Sequence, residues 1–307
     1  QLKDQNTLVL EAGFLAGALT GGLITRRLKI TDGDAASIAA ISLAGTLTGL
    51  LLPYTIVGST LTDRHHEGSV MLGTALGFAA GTYISQHIDA TKGDVLGALY
   101  GASWGMSIGG GLSLAADFEN RFGRATSSLL LLGGAAGTYA TAQLLGGKEI
   151  KGGSTAALGA GMAWGVWQGG GFGSLAFQSD KGRAGSTLLG YGLGGLASAG
   201  LVHLHAPTTA EVGAAATAGF WGGWLGGFGA YLGNKHGALI DEDGILLSTL
   251  VGSDLGLLSG MIALSDIGKV KPLRLGYMNV AIALGMGIGT SIGAITGEYV
   301  AEGNVLG

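Results

Sequence analysis

The chain has 307 residues, 16 basic and 20 acidic, a mean hydropathy of +0.47 and only 12% charged residues. That is about half the usual ~25%, too little to coat a soluble protein of this size, and the charge balance leaves no basic stripe for nucleic acid. Cysteine is absent, which removes disulfides, zinc-thiolate sites and thiol catalysis, while 63 Gly against 3 Pro without a Gly-X-Y period excludes collagen and low-complexity linkers.

Ten apolar, nearly uncharged segments follow one another, at about 7–25, 35–57, 68–87, 95–116, 125–146, 154–177, 184–204, 211–232, 245–265 and 276–297. About 20 helical residues cross a ~30 Å hydrocarbon core, and the charges sit in the connectors, as in Asp63-Arg64-His65-His66-Glu67 and Asp241-Glu242-Asp243. Apolar spans of bilayer length with charge confined to turns predict an all-α, polytopic transmembrane protein. An outer-membrane barrel would show ~10-residue stretches of strict alternation. Here the period is three to four, and Ala and Leu dominate, as in Leu129 to Gly137.

Each segment carries two glycines four residues apart. One set is Gly45 with Gly49, Gly105 with Gly109, Gly165 with Gly169, Gly222 with Gly226 and Gly285 with Gly289. The other is Gly13 with Gly17, Gly73 with Gly77, Gly133 with Gly137, Gly190 with Gly194 and Gly252 with Gly256. On a helix such a pair lies on one face, and a face without side chains lets another backbone approach, the small-xxx-small packing of membrane helices. Within the second set the first glycines recur at intervals of 60, 60, 57 and 62 residues. The expectation is one repeat-built membrane domain over 1–307, made of five tandem glycine-zipper hairpins at about 7–57, 68–116, 125–177, 184–232 and 245–297. Soluble helical solenoids usually repeat every 33 to 47 residues, which leaves a soluble or surface-attached helical repeat as the lesser alternative.

Ten spans put both termini on one side. The opposite loops then hold 9 Lys or Arg (positions 26, 27, 29, 92, 148, 151, 269, 271 and 274) against 7 on the terminal side, which is barely a positive-inside bias. The expected location is an integral membrane protein of bacterial type, with inner and outer membrane both left open. Expected partners are lipids and either other subunits or further copies, with no nucleic acid.

Candidate chemistry is sparse. Trp104, Trp164 and Trp221 each precede the first glycine of a pair, and Trp167 and Trp224 follow three residues after Trp164 and Trp221. Either each ring fills a glycine notch on a neighbour, or the five line an aromatic face for an apolar ligand; both predict that these helices share one side of the bundle. His65, His66, His87, His203, His205 and His236 fall at helix ends or in loops without metal-ligand spacing. Glycine runs such as Gly169-Gly170-Gly171 match no phosphate loop, and no nucleophile elbow is present. No enzyme, cofactor or metal is expected. Glu11 can reach the headgroups, but Asp254 lies in mid-span, where an ionisable group marks a partner, cavity or pathway. Its equivalents in the other units are Leu15, Ala75, Ala135 and Gly192. The function expected is that of a structural scaffold subunit in a membrane assembly, the alternative being a channel or secondary transporter with Asp254 in its path.

Overall fold

The computed structural model describes residues 31–58, 63–116, 123–235 and 240–264, with 277, 279–282 and 284. Among these there is no strand, and eight long helices follow in order: α1 (Asp32–Val57), α2 (Asp63–Ser85), α3 (Lys92–Ala115), α4 (Arg124–Leu145), α5 (Gly152–Ala176), α6 (Asp180–Leu204), α7 (Thr209–Lys235) and α8 (Glu242–Leu264). Each expected segment from 35 to 265 is a helix within a few residues of its limits. The segment at 7–25, with Glu11, Gly13 and Gly17, and the glycines Gly285 and Gly289 lie outside the described residues. Four helices, α1, α4, α6 and α8, are long and apolar enough to cross a membrane.

Gly costs about 1 kcal/mol per interior helical position relative to Ala, so propensity cannot hold these helices and packing must. The packing is close. A methyl on Gly73, Gly137, Gly190 or Gly222 would stand 2.8 Å from the Cα of Gly49, Gly105, Gly169 or Gly256, respectively. The remaining glycines of these stripes behave alike. A methyl on Gly45 would stand 2.8 Å from the Cα of Gly77, one on Gly194 2.8 Å from that of Gly165, and one on Gly226 3.2 Å from that of Gly252. At such distances a side chain meets backbone, which cannot step aside. Gly77 is buried, whereas Gly194 and Gly226 are only half-buried, because a glycine stripe is closed by its partner helix and still open along its flank. Leucines and aromatics such as Leu76, Leu132, Tyr139 and Leu255 turn outward instead.

The pairing differs from the expected hairpins in one respect. The heaviest contacts join α1 with α2, α3 with α4, α5 with α6 and α7 with α8. Each close pair therefore straddles two expected hairpins: the second helix of one unit packs on the first helix of the next. Gly77 accordingly meets Gly45, Gly194 meets Gly165 and Gly226 meets Gly252, each across a boundary between expected hairpins. The segments 68–116, 125–177 and 184–232 are not close-packed pairs. The reason is that the main glycine stripe of each helix is taken up by the other member of its close pair; α6 also meets α3 at backbone distance, through Gly185 on Gly111 and Gly192 on Trp104 O. On α3 the stripe Gly101, Gly105, Gly109 is spent on Gly137, Gly133 and Leu129 of α4, leaving none for α2.

The pairs are joined along one end by a row of capping turns. Thr31 and Asp34 form a capping box at α1, Thr91 and Asp94 the same at α3, and Thr208 and Glu211 exchange equivalent bonds at α7. In such a box the threonine accepts from a free N-terminal amide while the acid accepts from the threonine's own N–H. The turns recur at 31, 91, 151 and 208, with Lys151 capping nothing through its side chain. Each turn rests on the next. Gly33 lies against the carbonyl of Ala90, Gly93 donates to Lys148 O at 3.0 Å, and Gly153 lies against Pro207 O. Asp94 also accepts from Gly147 N–H at 2.9 Å. Burial works against its charged form, but the bonds from Thr91 and Gly147 outweigh it and hold the carboxyl below its ordinary value.

Beyond the pairs, α3 packs on α6, α1 on α4 and α3, and α5 on α7 and α8. The result is a row of four pairs held by three unlike interfaces.

Candidate polar and aromatic sites between helix pairs

At the α3–α6 interface, Trp104 is fully buried in a cluster with Leu145, Ile150, Ala157, Leu158, Ala199 and Val202. Tyr100, one turn earlier, stacks on it with ring centroids 5.4 Å apart and an interplanar angle of 9°. The indole lies directly over Gly195, so a methyl there would overlap the ring, and a methyl on Gly192 would meet Ile108 and Trp104 O at 2.5 Å. Ser103 Oγ and Tyr191 OH share a hydrogen bond of 3.1 Å across the interface. Among the described residues the Trp104 Nε1–H finds no hydrogen-bond partner. Full burial of the ring is obtained at the expense of its own donor.

The α5–α8 interface is polar at the same level. Asp254 Oδ1 accepts from Trp164 Nε1 at 3.1 Å and from Gln168 Nε2 at 2.7 Å. Gln168 Nε2 also lies 3.2 Å from Ser253 Oγ, which itself donates to Leu250 O at 2.7 Å. Trp167 Nε1 points at the same Ser253 hydroxyl, at 3.4 Å. The edge of the Trp164 ring rests on α7, 3.0 Å from where a Gly219 methyl would be. Helix periodicity explains the convergence: Trp164 and Gln168 are one turn apart on α5, as are Leu250 and Asp254 on α8. The two candidates from sequence, Asp254 and the tryptophans of α5, thus form one cluster.

The second pair of tryptophans, Trp221 and Trp224, goes elsewhere. Trp221 Nε1 donates to Asn279 Oδ1 at 2.9 Å, Asn279 Nδ2 reaches Thr217 Oγ1 at 3.1 Å, and Trp224 packs on Trp221 and stacks on Phe228. The described contacts of the five tryptophans therefore do not gather on one common face. Trp104 and the two tryptophans of α5 point to the pair that follows their own, while Trp221 bonds to Asn279 and Trp224 packs within α7 on Trp221 and Phe228. Trp104 and Trp164 do sit over glycines, as the notch alternative requires.

At the α1–α4 interface none of the described residues lining the space between the helices is aromatic. A cleft of about 460 Å³ opens there, lined by Ala40, Ala44 and Leu47 of α1, Ala98, Ala102, Met106 and Ser107 of α3, and Thr138 of α4, among others.

The described histidines lie at or near helix ends, and His236 falls outside the described residues. Lys148 Nζ donates to His203 O at 2.9 Å, and His205 pairs with Glu211 at 3.6 Å. Among the described residues, no three His, Cys, Asp or Glu side chains gather as a metal site. Sequence reasoning missed Gln168 and Asn279 as partners of mid-helix polar groups, and it missed the capping boxes. Gln168 was findable as the polar residue one turn beyond Trp164. The boxes had a sequence signature, Thr-x-x-Asp or Thr-x-x-Glu, at the same spacing as the glycines. Comparison with protein-family models, curated proteins and solved structures finds no match to this chain.

Proposed function

We propose that the chain is a polytopic membrane protein of about ten glycine-zipper helices in a ~60-residue repeat, and that its role is structural: a scaffold subunit of a membrane assembly. The observation that carries this is where the glycines and the apolar side chains go. Glycine faces are turned inward to backbone contact, while Leu72, Leu76, Leu132, Leu193, Leu225 and Leu255 stand more than half exposed. A surface of that kind is matched by lipid or by other subunits and not by water. Capping turns at 31, 91 and 208 support a repeat extending through the chain.

Carbonate washing of membranes tests the location: the protein is expected to stay in the pellet and to require detergent. Release as a soluble monomer would end the membrane proposal. Light scattering in detergent then tests self-association.

The alternative of a channel or carrier rests on Asp254, whose mid-helix position favours it. Its Oδ1 is occupied by donors from α5, an arrangement that suits a pin between helix pairs. Flux in proteoliposomes that disappears in Asp254→Asn, with thermal stability kept, would favour the carrier.

A further inference from the structure

Residues can be matched between the inter-pair interfaces by the sequence offset of 60 residues for α1 with α3 and α3 with α5, and 57 for α4 with α6. At the α3–α6 interface the space between pairs is filled by Tyr100, Trp104, Leu158, Met162 and Tyr191, all in or packed against one buried cluster. Their counterparts at the α1–α4 interface are Ala40, Ala44, Ala98, Ala102 and Gly134. Every one is smaller, and both aromatic positions of α1 have become alanine. The plug of the α3–α6 interface has no counterpart here, and Ala40, Ala44, Ala98 and Ala102 all line the cleft of about 460 Å³.

An emptied interface could have closed by drawing the helices together. Here it does not, because Thr138 stands where α6 has Gly195. At the filled interface that glycine is what lets the facing ring come down onto the helix backbone. Thr138 lines the cleft with its hydroxyl donating to Gly134 O at 2.9 Å, and its bulk keeps α1 from the same approach. The volume lies within the ~300–1,000 Å³ range of small-molecule sites, and walls of apolar side chains with a few hydroxyls, here Ser103, Ser107 and Thr138, are typical of them.

We propose that this cleft between α1 and the α3–α4 pair is a binding site for a small, flat, apolar molecule with an aromatic ring system. The matching interface specifies the ligand's shape. There the space is occupied by two nearly parallel rings with a phenol hydroxyl at their edge. A free ligand of that form takes the place of Tyr100 and Trp104, with a single polar group within reach of the wall hydroxyls. The site rests on the membrane reading only for the medium in which it is tested; a chain that does not insert fails the carbonate test first.

The experiment uses the full chain in lipid nanodiscs, titrated with N-phenyl-1-naphthylamine as a fluorescent probe and compared with empty nanodiscs. Saturable binding at one probe per chain is expected, displaced by excess indole. Ala44→Trp and, separately, Ala98→Leu restore the plug residues of the filled interface and are expected to lower probe binding at least tenfold. Both are also expected to raise the melting temperature, since they fill space that the α3–α6 interface fills natively. Should Ala44→Trp not assemble, Ala98→Leu decides alone. No saturable signal above empty nanodiscs would overturn the proposal, as would binding unchanged in a folded Ala98→Leu protein. Displacement by hexadecane but not by indole would overturn the ring assignment and make the cleft a seat for a lipid chain.

Discussion

The α3–α6 and α5–α8 interfaces start from the same residue, a tryptophan one position before a zipper glycine, and reach opposite solutions. The determinant is the residue two positions after the first zipper glycine on the opposing helix: Gly192 on α6, Asp254 on α8. Where it is glycine, α3 moves in until Trp104 O and Ile108 occupy the place of a side chain, and the indole is sealed with no hydrogen-bond partner among the described residues. Where it is aspartate, the carboxyl holds α5 off, and contact is replaced by hydrogen bonds from Trp164 and Gln168. Apolar burial is non-directional and strengthens with contact area. A hydrogen bond between helices is directional and fixes the rotation and height of one against the other. One interface is thus made tight and the other is made specific.

Exchanging the determinants is the most severe way to break this comparison. Gly192→Asp puts a carboxyl into backbone and Ile108 at 2.5 Å, in a place with no room for the donors that Asp254 enjoys. It is expected to abolish assembly of the folded protein, a loss beyond the ~1–3 kcal/mol typical of overpacking because an acid is buried as well. A folded Gly192→Asp protein with parental melting would show that the α3–α6 contact is not what holds the pairs together.

Trp104→Ala comes next. It empties a fully buried site and should cost about 3–5 kcal/mol, read as a fall in melting temperature in detergent. Trp167→Ala, at a ring 45% exposed, should cost clearly less. Equal effects would mean that the two interfaces do not differ in how they use their rings.

Asp254→Gly is the reciprocal exchange, and it should not recreate the dry interface. It leaves the Trp164 and Gln168 N–H groups without their acceptor, a loss of about 1–3 kcal/mol. Stabilisation by this change would show that the polar cluster is strain and not a pin.

The smallest effect is expected at the capping row. Thr91→Ala removes one cap and should cost about 1 kcal/mol. Asp94 gives this site a pH dependence of known sign. Its carboxyl is held below the ordinary value, so its contribution is complete above the unfolded carboxylate range and is lost as pH falls through the folded value. Asp94→Asn should flatten the acid limb of the melting profile; an unchanged acid limb would remove Asp94 from the account.

Much of the fold was legible because glycine spacing and helix period are both local. Gly105 and Gly109 mark a face whatever lies opposite, and the limits of α3 to α8 follow from where charge stops. The identity of the partner is not local. Gly105 could have met Gly73 or Gly133 with equal complementarity, and only the assembled structure shows that it meets Gly133. The same limit holds for Leu130 of α4, whose place in the sequence does not reveal its neighbours. Its Cδ2 packs 3.2 Å from the methyl position of Gly110, while Leu132 is the outward residue at 67% exposure. Asp254 was conspicuous as a lone acid, but its donors are 86 and 90 residues away in sequence. Spacing along one helix cannot predict a hydrogen bond between α5 and α8, which belong to two different pairs and meet only in the assembled fold.

The row of capping turns has a consequence for how such a chain can lengthen. Each helix pair carries its own close contact and offers a similar turn to the neighbour on either side, so a pair is a cassette with matching connectors. Excising 91–150 would take out α3 and α4 together and bring Ala90 up to Lys151, a junction equivalent to the one removed. Excising a single helix would instead leave a glycine face with no backbone against it and reverse the direction of every helix that follows. Duplication and loss in this architecture are therefore quantised in two-helix steps, and a lineage can vary the number of cassettes while each inter-pair seam evolves separately.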